Sequence, residues 1–224
     1  MLPPSAIAVL FDWDGVVVDS SAFHEASWEL LSEEIGLPLP EGHFKQHFGK
    51  KNQAIIPALG WSDDAEEVES LSLRKEEIYR ELVRREGTEP LPGVRELLAG
   101  LEAAGIRRGI GSSTHRENIE LILELIDLRG AFEVIISGED VHHGKPDPEV
   151  FLLGAQKLGI DPARCVVIED AFVGLEAARR AGMRSIAVAT TNPLESLIEA
   201  ADLAVERLTE IDATAIASLI ARGN

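Results

Sequence analysis

The sequence predicts an α/β fold, a doubly wound parallel sheet interrupted once, early in the chain, by an inserted all-helical segment. Three observations predict it. Short apolar runs rich in β-branched residues, such as "CVVIED" and "SIAVAT", have the composition of strands buried on both faces. They alternate with helical periodicity, which implies parallel strands joined by crossover helices. Between 20 and 90 the alternation stops, and only helical spacing remains.

Taken in order, the strands are expected at 6–11, 108–111, 134–136, 165–168, 185–188 and 203–205. Core helices are expected at 94–104, 116–128, 148–158, 172–181 and 194–200, with Gly105 and the "LGI" and "AGM" tripeptides as stops. Within the insert, "AFHEASWELLSEEIG" spaces Phe23, Trp28, Leu31 and Ile35 along one face, and "DAEEVESLSLRKEEIYRELVRREG" reads as a long charged amphipathic helix. The "EPLPG" stretch at 89–93 reads as the return linker, opposite an outgoing crossing at 17–21. The expected division is a core of 1–19 and 91–224 and a helical domain of 20–90. No internal repeat or low-complexity tract is present.

Composition narrows the class of protein. A chain of 224 residues with 45% hydrophobic content supports a substantial core and excludes disorder. No apolar run approaches the roughly 18 residues of a membrane span, and "MLPPSAIAVLF" lacks the basic start of a signal peptide. The single cysteine, Cys165, cannot form an internal disulfide, so a reducing, cytoplasmic setting is expected. With 21 basic against 39 acidic residues the formal charge is −18, which argues against nucleic acid and anionic membranes as partners. An anionic ligand must then be captured by local positive charge or a metal, against the overall field. Nothing in the surface pattern points beyond a monomer.

In open parallel sheets, ligands bind beyond the carboxyl ends of the strands. The first strand ends in Asp12, Trp13 and Asp14, and the second in Ser112 and Ser113. The loop after the third carries Lys145 in "HHGKPDP", and the fourth ends in Glu169 and Asp170. Each has an ordinary reading. An Asp-x-Asp pair after a strand can cap or turn, Ser112 or Ser113 can cap the next helix, "GKPDP" can be a proline turn, and "ED" can favour a helix dipole. Their coincidence at four strand ends favours one rim with one chemistry. Carboxylates without Cys or His ligands suit a hard cation, Mg²⁺. Mg²⁺ recruits phosphate, so a phosphate ester is the expected substrate, with one Asp as nucleophile and the second as acid and base. "GEDVHHGKP" lacks P-loop spacing, and "GIGSST" lacks the third glycine of a dinucleotide fingerprint. His142 and His143 read as polar loop residues, and Trp28, Trp61 and Phe48 as packing within the insert.

These motifs, in this order, resemble the haloacid dehalogenase superfamily in its branch with a helical cap after the first strand, close to β-phosphoglucomutase and the sugar-phosphate phosphatases. The resemblance covers essentially the whole chain and implies a Rossmann-like core. "DWDGV" is similar to the family's first motif and implies Asp12 as nucleophile and Asp14 as acid/base; "GSS" implies phosphate binding by Ser112, with Ser113 beside it. "GKPDP" implies that Lys145 pairs with phosphate and nucleophile, and "IEDAFVG" implies Mg²⁺ held by Asp12, the Asp14 carbonyl and Asp170, with Glu169 close by. Asp14 argues against the metal-free dehalogenases, and the lysines at 50 and 51 do not match the spacing of phosphonatases.

The cap bears on specificity. "HEASW" resembles the mutase's H-x-x-A-W element with Ser27 for Ala, which implies that His24 positions Asp14. Where the mutase has an Arg for the distal phosphate, "GKKN" puts Asn52, with Lys50 or Lys51 as compensation, and the resemblance implies His24, Asn52 and Lys51, with Ser113, as substrate contacts. A neutral amide grips phosphate less well than a guanidinium. The expectation is therefore a phosphatase of sugar-phosphate-type monoesters, a small phosphorylated metabolite as partner, with β-phosphoglucomutase as the alternative. A receiver-like phospho-signalling module is the distant alternative, disfavoured by the chain's length and its insert.

Overall fold

The structure is a computed structural model and describes residues 6–47 and 50–221. Six strands form one sheet: β1 (Ala8–Phe11), β2 (Arg107–Gly111), β3 (Val134–Ile136), β4 (Cys165–Glu169), β5 (Arg184–Val188) and β6 (Leu203–Val205). Their order is β3-β2-β1-β4-β5-β6 and every neighbouring pair is parallel. The order reverses between β1 and β4, where such sheets open a crevice at their carboxyl edge.

The period of two along each strand explains the layers. On β1, Val9 and Phe11 enter one core and Ala8 and Leu10 the other; on β4, Val166 and Ile168 face the first and Cys165 and Val167 the second. The first core is closed by α5 (Val94–Ala103), α6 (Arg116–Leu125) and α10 (Ala213–Ala221), through residues such as Leu97, Ile122 and Ile216. The second is closed by α7 (Glu149–Leu158) and α8 (Phe172–Arg180), through Phe151, Leu158 and Ala177. Removing one such buried side chain costs about 2–5 kcal/mol. A short α9 (Leu194–Leu197) precedes β6.

The insert holds α1 (Ser21–Ile35), α2 (His43–His47), α3 (Asn52–Ala58) and α4 (Ala65–Glu86). It has its own core of Trp28, Leu31, Ile55, Ile56, Trp61, Val68, Ile78 and Leu82. The α4 start is fixed by Asp64, whose carboxylate accepts the Glu66 and Glu67 amides at 3.1 and 3.0 Å. The two crossings run side by side: the Leu91 amide donates to the Val17 carbonyl at 2.9 Å, and Val18 bridges Pro90.

Several boundaries differ from expectation. β1 begins at Ala8 rather than 6, while β2, β4 and β5 each extend one residue further. Helix α6 stops at Leu125 instead of 128 because the chain turns through Asp127 at φ 53. The expected helix over 194–200 closes after Leu197. Helices α2, α3 and α10 were not among the expected elements. Phe48 and the Gly that opens "GKKN" lie outside the described residues. Among the described residues no helix is long and apolar enough to cross a membrane.

Candidate active site

Strand register brings the rim together. Phe11 pairs with Ile110 on one side and Ile168 on the other, so Asp12 and Glu169 leave their strands side by side, and Ser112 follows one residue later, after Gly111. The Asp12 amide donates to the Ile168 carbonyl at 2.9 Å and the Ser112 amide to the Ile136 carbonyl at 3.0 Å, carrying the order of the sheet into the loops. A cavity of about 520 Å³ lies above this edge, between the sheet and the insert, and Asp12, Asp14, Ser112, Ser113, Lys145, Glu169 and Asp170 all line it.

The two acids of "DWD" serve different surroundings. Lys145 Nζ sits 2.7 Å from Asp12 Oδ1 and 2.7 Å from Glu169 Oε1. Burial pushes Asp12 well up, against the pull of Lys145, and the Glu169 and Asp170 carboxylates add to the rise. Asp14 turns the other way. It accepts the hydroxyls of Ser20 and Thr114, and His24 Nε2 lies 3.8 Å from its Oδ1. Burial raises Asp14 as well, but His24, Ser20 and Thr114 outweigh it and hold the carboxyl below its ordinary value.

Glu169 is wholly buried and its second oxygen accepts the amides of Asp170 and Ala171 at 2.8 and 2.7 Å. Asp170 accepts the Thr191 hydroxyl through Oδ2, while its buried Oδ1 has no hydrogen-bond partner among the described residues. Burial, with Glu169 beside it, pushes Asp170 up to about 7. Asp12, Glu169 and Asp170 each bring a carboxylate oxygen within 4.8 Å of the others. Three carboxylates facing one ammonium leave a formal charge of −2 in a buried space, and a polar atom is left unpaired there. Oxygen donors, excess negative charge and an unpaired lone pair all fit a hard divalent cation.

The insert contributes a second cluster. Lys75, 1% exposed, places Nζ 2.6 Å from His24 Nδ1 and 3.0 Å from Glu76 Oε1. Because an ammonium only donates, His24 Nδ1 is the acceptor and Nε2–H is the edge turned to Asp14. Burial pushes Lys75 below its ordinary value in spite of Glu76. Glu76 is also buried, but Lys75 and the histidines nearby hold it down at about 2. Ser27, at the position expected for Ala, is accommodated because its hydroxyl donates to the His24 carbonyl at 2.7 Å.

Not every expected residue stands as read. Ser113 lines the cavity but does not cap α6, whose N-cap is His115, and Ser112 Oγ accepts the Thr114 amide at 3.1 Å. The Lys51 ammonium donates to the carbonyls of Gly138 and Val141, in the loop after β3, at 2.7 and 2.9 Å. Asn52 is buried and engaged with α4. Trp61 packs inside the insert as expected, whereas Trp28 packs there and also lines the cavity. The amides of His142 and His143 donate to Glu149, closing the turn into α7. Ser20, Thr114, Thr191, Lys75 and Glu76 were not anticipated. For Lys75 and Glu76 a signal existed, since they fall on the same stripe of α4 as Val68, Ser72 and Tyr79.

Comparison with known proteins agrees with this geometry. A family model described as haloacid dehalogenase-like hydrolase matches residues 8–182. The chain is 37% identical over 209 residues to the chloroplastic 5-amino-6-(5-phospho-D-ribitylamino)uracil phosphatase of Arabidopsis thaliana, covering 92% of this chain and only 55% of that protein. It is 34% identical to the phosphorylated carbohydrates phosphatase of Thermotoga maritima, over 91% of this chain and 95% of the other. The crystal structure of β-phosphoglucomutase from Clostridium difficile superposes with a TM-score of 0.84 at 25% identity, over 99% and 98% of the two chains. The matched segment runs from the start of β1 to the turn after α8 and contains the whole acidic rim, and on that ground the chain belongs to the haloacid dehalogenase-like hydrolases.

Proposed function

We propose that this enzyme is a divalent-metal-dependent phosphatase of small phosphomonoesters, working through a phosphorylated Asp12. The observation that carries the reading is the separation of two neighbouring carboxylates: Asp12 faces Lys145 and the acidic rim, and Asp14 faces His24, Ser20 and Thr114. Two acids with such different surroundings suit two different roles.

Asp12, the Asp14 main-chain carbonyl and Asp170 would hold the cation, Mg²⁺ by donor type, and Glu169 would orient Lys145 beside them. When bound, the cation supplies charge neutralisation for the phosphoryl group. Lys145 and Ser112 hold the remaining phosphoryl oxygens. Asp12 attacks phosphorus, the bond from phosphorus to the ester oxygen breaks, and Asp14 gives its proton to that oxygen. The bound phosphate's negative charge raises the Asp14 carboxyl, which favours the protonated form that this step needs. Asp14 then takes a proton from water, the hydroxide attacks phosphorus, and the Asp12–phosphorus bond breaks to release inorganic phosphate. His24 couples Asp14 to the insert, which acts as a lid that excludes bulk water.

The names of the relatives favour phosphorylated carbohydrates or related polyols as substrates. A mutase reading is favoured by the likeness to β-phosphoglucomutase. It requires the insert to hold a second phosphate during turnover. The test is release of phosphate from p-nitrophenyl phosphate and from a panel of sugar monophosphates. Activity is expected to require Mg²⁺, to vanish in chelator and to fall with Ca²⁺, whose longer bonds and higher coordination misplace the phosphoryl group. Full activity in chelator would refute the metal assignment, and glucose 6-phosphate as the dominant product from β-glucose 1-phosphate and a bisphosphate primer would favour the mutase.

A further inference from the structure

The insert lines the cavity with residues of α1, α2, α3 and α4, and two of those on α3 and α4 have their polarity fixed by their partners. Asn52, 8% exposed, donates through Nδ2 to Ser72 Oγ at 3.2 Å and to Glu76 Oε1 at 2.7 Å. A carboxylate oxygen only accepts, so the orientation of the amide is not ambiguous. Both amide protons are used inside the insert, and the atom left for a ligand is the acceptor Oδ1. Glu76 also faces the cavity, 3% exposed, with Oε1 taken by Asn52 and Lys75 and Oε2 by Asn118 of α6.

The cations of this lining are committed in turn. Lys75 is shared between Glu76 and His24, and Lys51 between the carbonyls of Gly138 and Val141. Lys50 is exposed where it borders the cavity. At neutral pH a phosphate monoester is mainly the dianion, which presents only acceptors. Opposite Asn52 and Glu76 it would meet an acceptor and a carboxylate. A hydroxyl can donate to the same two groups.

We infer that Asn52 and Glu76 determine specificity by repulsion, admitting monophosphates whose far end carries hydroxyl groups and turning away esters with a second phosphate. This rests on the phosphatase reading and adds to it the chemistry of the distal end. The experiment compares kcat/KM for fructose 6-phosphate and fructose 1,6-bisphosphate in the wild type, Glu76→Gln and Asn52→Arg, with p-nitrophenyl phosphate as the general substrate. The wild type is expected to prefer the monophosphate. Each variant should move the ratio of the two kcat/KM values toward the bisphosphate by about tenfold or more, mainly through KM, equivalent to about 1.4 kcal/mol. Asn52→Arg carries the test if Glu76→Gln does not fold. Equal rates for the two sugars in a wild type that hydrolyses p-nitrophenyl phosphate overturn this inference alone. So does a ratio that neither variant moves, which would assign selection to Lys50 or another residue. Loss of all hydrolysis by the wild type, p-nitrophenyl phosphate included, overturns the phosphatase reading and this inference with it.

Discussion

Lys51 Nζ lies 2.7 Å from the carbonyl oxygen of Gly138, and so ties the start of α3 to the loop that follows β3. The Val141 carbonyl, 2.9 Å away, is the second anchor. An ammonium held by two carbonyls across the cavity acts as a latch between insert and core. Lys51→Met keeps the stem and removes both bonds, at a cost of about 2 kcal/mol to the closed arrangement. That is roughly thirtyfold in the closure equilibrium. The expected outcome is a larger radius of gyration in X-ray scattering without ligand, and a raised KM. Unchanged scattering and an unchanged KM would show that other contacts hold the insert in place.

Asp12→Asn should abolish turnover and leave the fold standing. The amide keeps the shape but is a poor nucleophile, and Lys145 keeps its contact with Glu169. Loss of a member of a catalytic unit removes several orders of magnitude of rate. Melting temperature and circular dichroism check the fold, and phosphate release checks the activity. Substantial turnover by a folded variant would remove Asp12 from the role of nucleophile.

Glu76 predicts a specific response to acid. Its carboxyl is held down at about 2 from an ordinary 4.5, by Lys75 and the neighbouring histidines and by the Asn52 amide. A depressed carboxylate stabilises the fold above its unfolded value, and that contribution is lost as pH falls through the folded value. The contribution is therefore complete above about pH 5 and drains away between about 4.5 and 2. Its upper size is about 3 kcal/mol. Urea denaturation of wild type and Glu76→Gln should show a stability gap that is constant from pH 6 to 8 and narrows below pH 4.5. A gap that stays the same down to pH 3 would mean that Glu76 is not ionised against its neighbours as described.

The sheet was legible because each strand is a short apolar run with few alternatives. The expected 134–136 and 203–205 match β3 and β6 to the residue. The acidic rim was legible for a related reason, since a carboxylate at the end of a buried strand is costly unless a site uses it. Local pattern failed where tertiary approach decides the outcome. The stretch that forms α2 and α3 mixes Pro, Gly and His without a clear period, and α3 is held by packing of Ile55 and Ile56 against α4. Thr114 and Ser20 are ordinary hydroxyls until the fold brings both to Asp14, 100 and 6 residues away in sequence. Lys75 and Glu76 sit in "LRKEEIY", where charge normally means solvent, yet both are buried against His24, Asn52 and Asn118.

Gly174 gives the last expectation. It lies in the first turn of α8, inside the "IEDAFVG" motif, and a Cβ there would overlap the Glu169 carboxylate. At an ordinary helical position, Gly→Ala stabilises by about 0.5–1 kcal/mol. Here the added methyl group must displace a carboxylate that is wholly buried and accepts from Lys145 and the amides of Asp170 and Ala171. Its movement would leave two buried amides without an acceptor, at about 1–3 kcal/mol each. It would also release Lys145 from one of its two carboxylates. Gly174→Ala is therefore expected to lower the melting temperature and to reduce kcat by about tenfold or more, because Lys145 no longer stands in a fixed place beside Asp12. The larger Gly174→Val should deepen both effects. A Gly174→Ala protein that is more stable than wild type and fully active would mean that Glu169 can move without consequence, and that Lys145 is positioned by Asp12 alone.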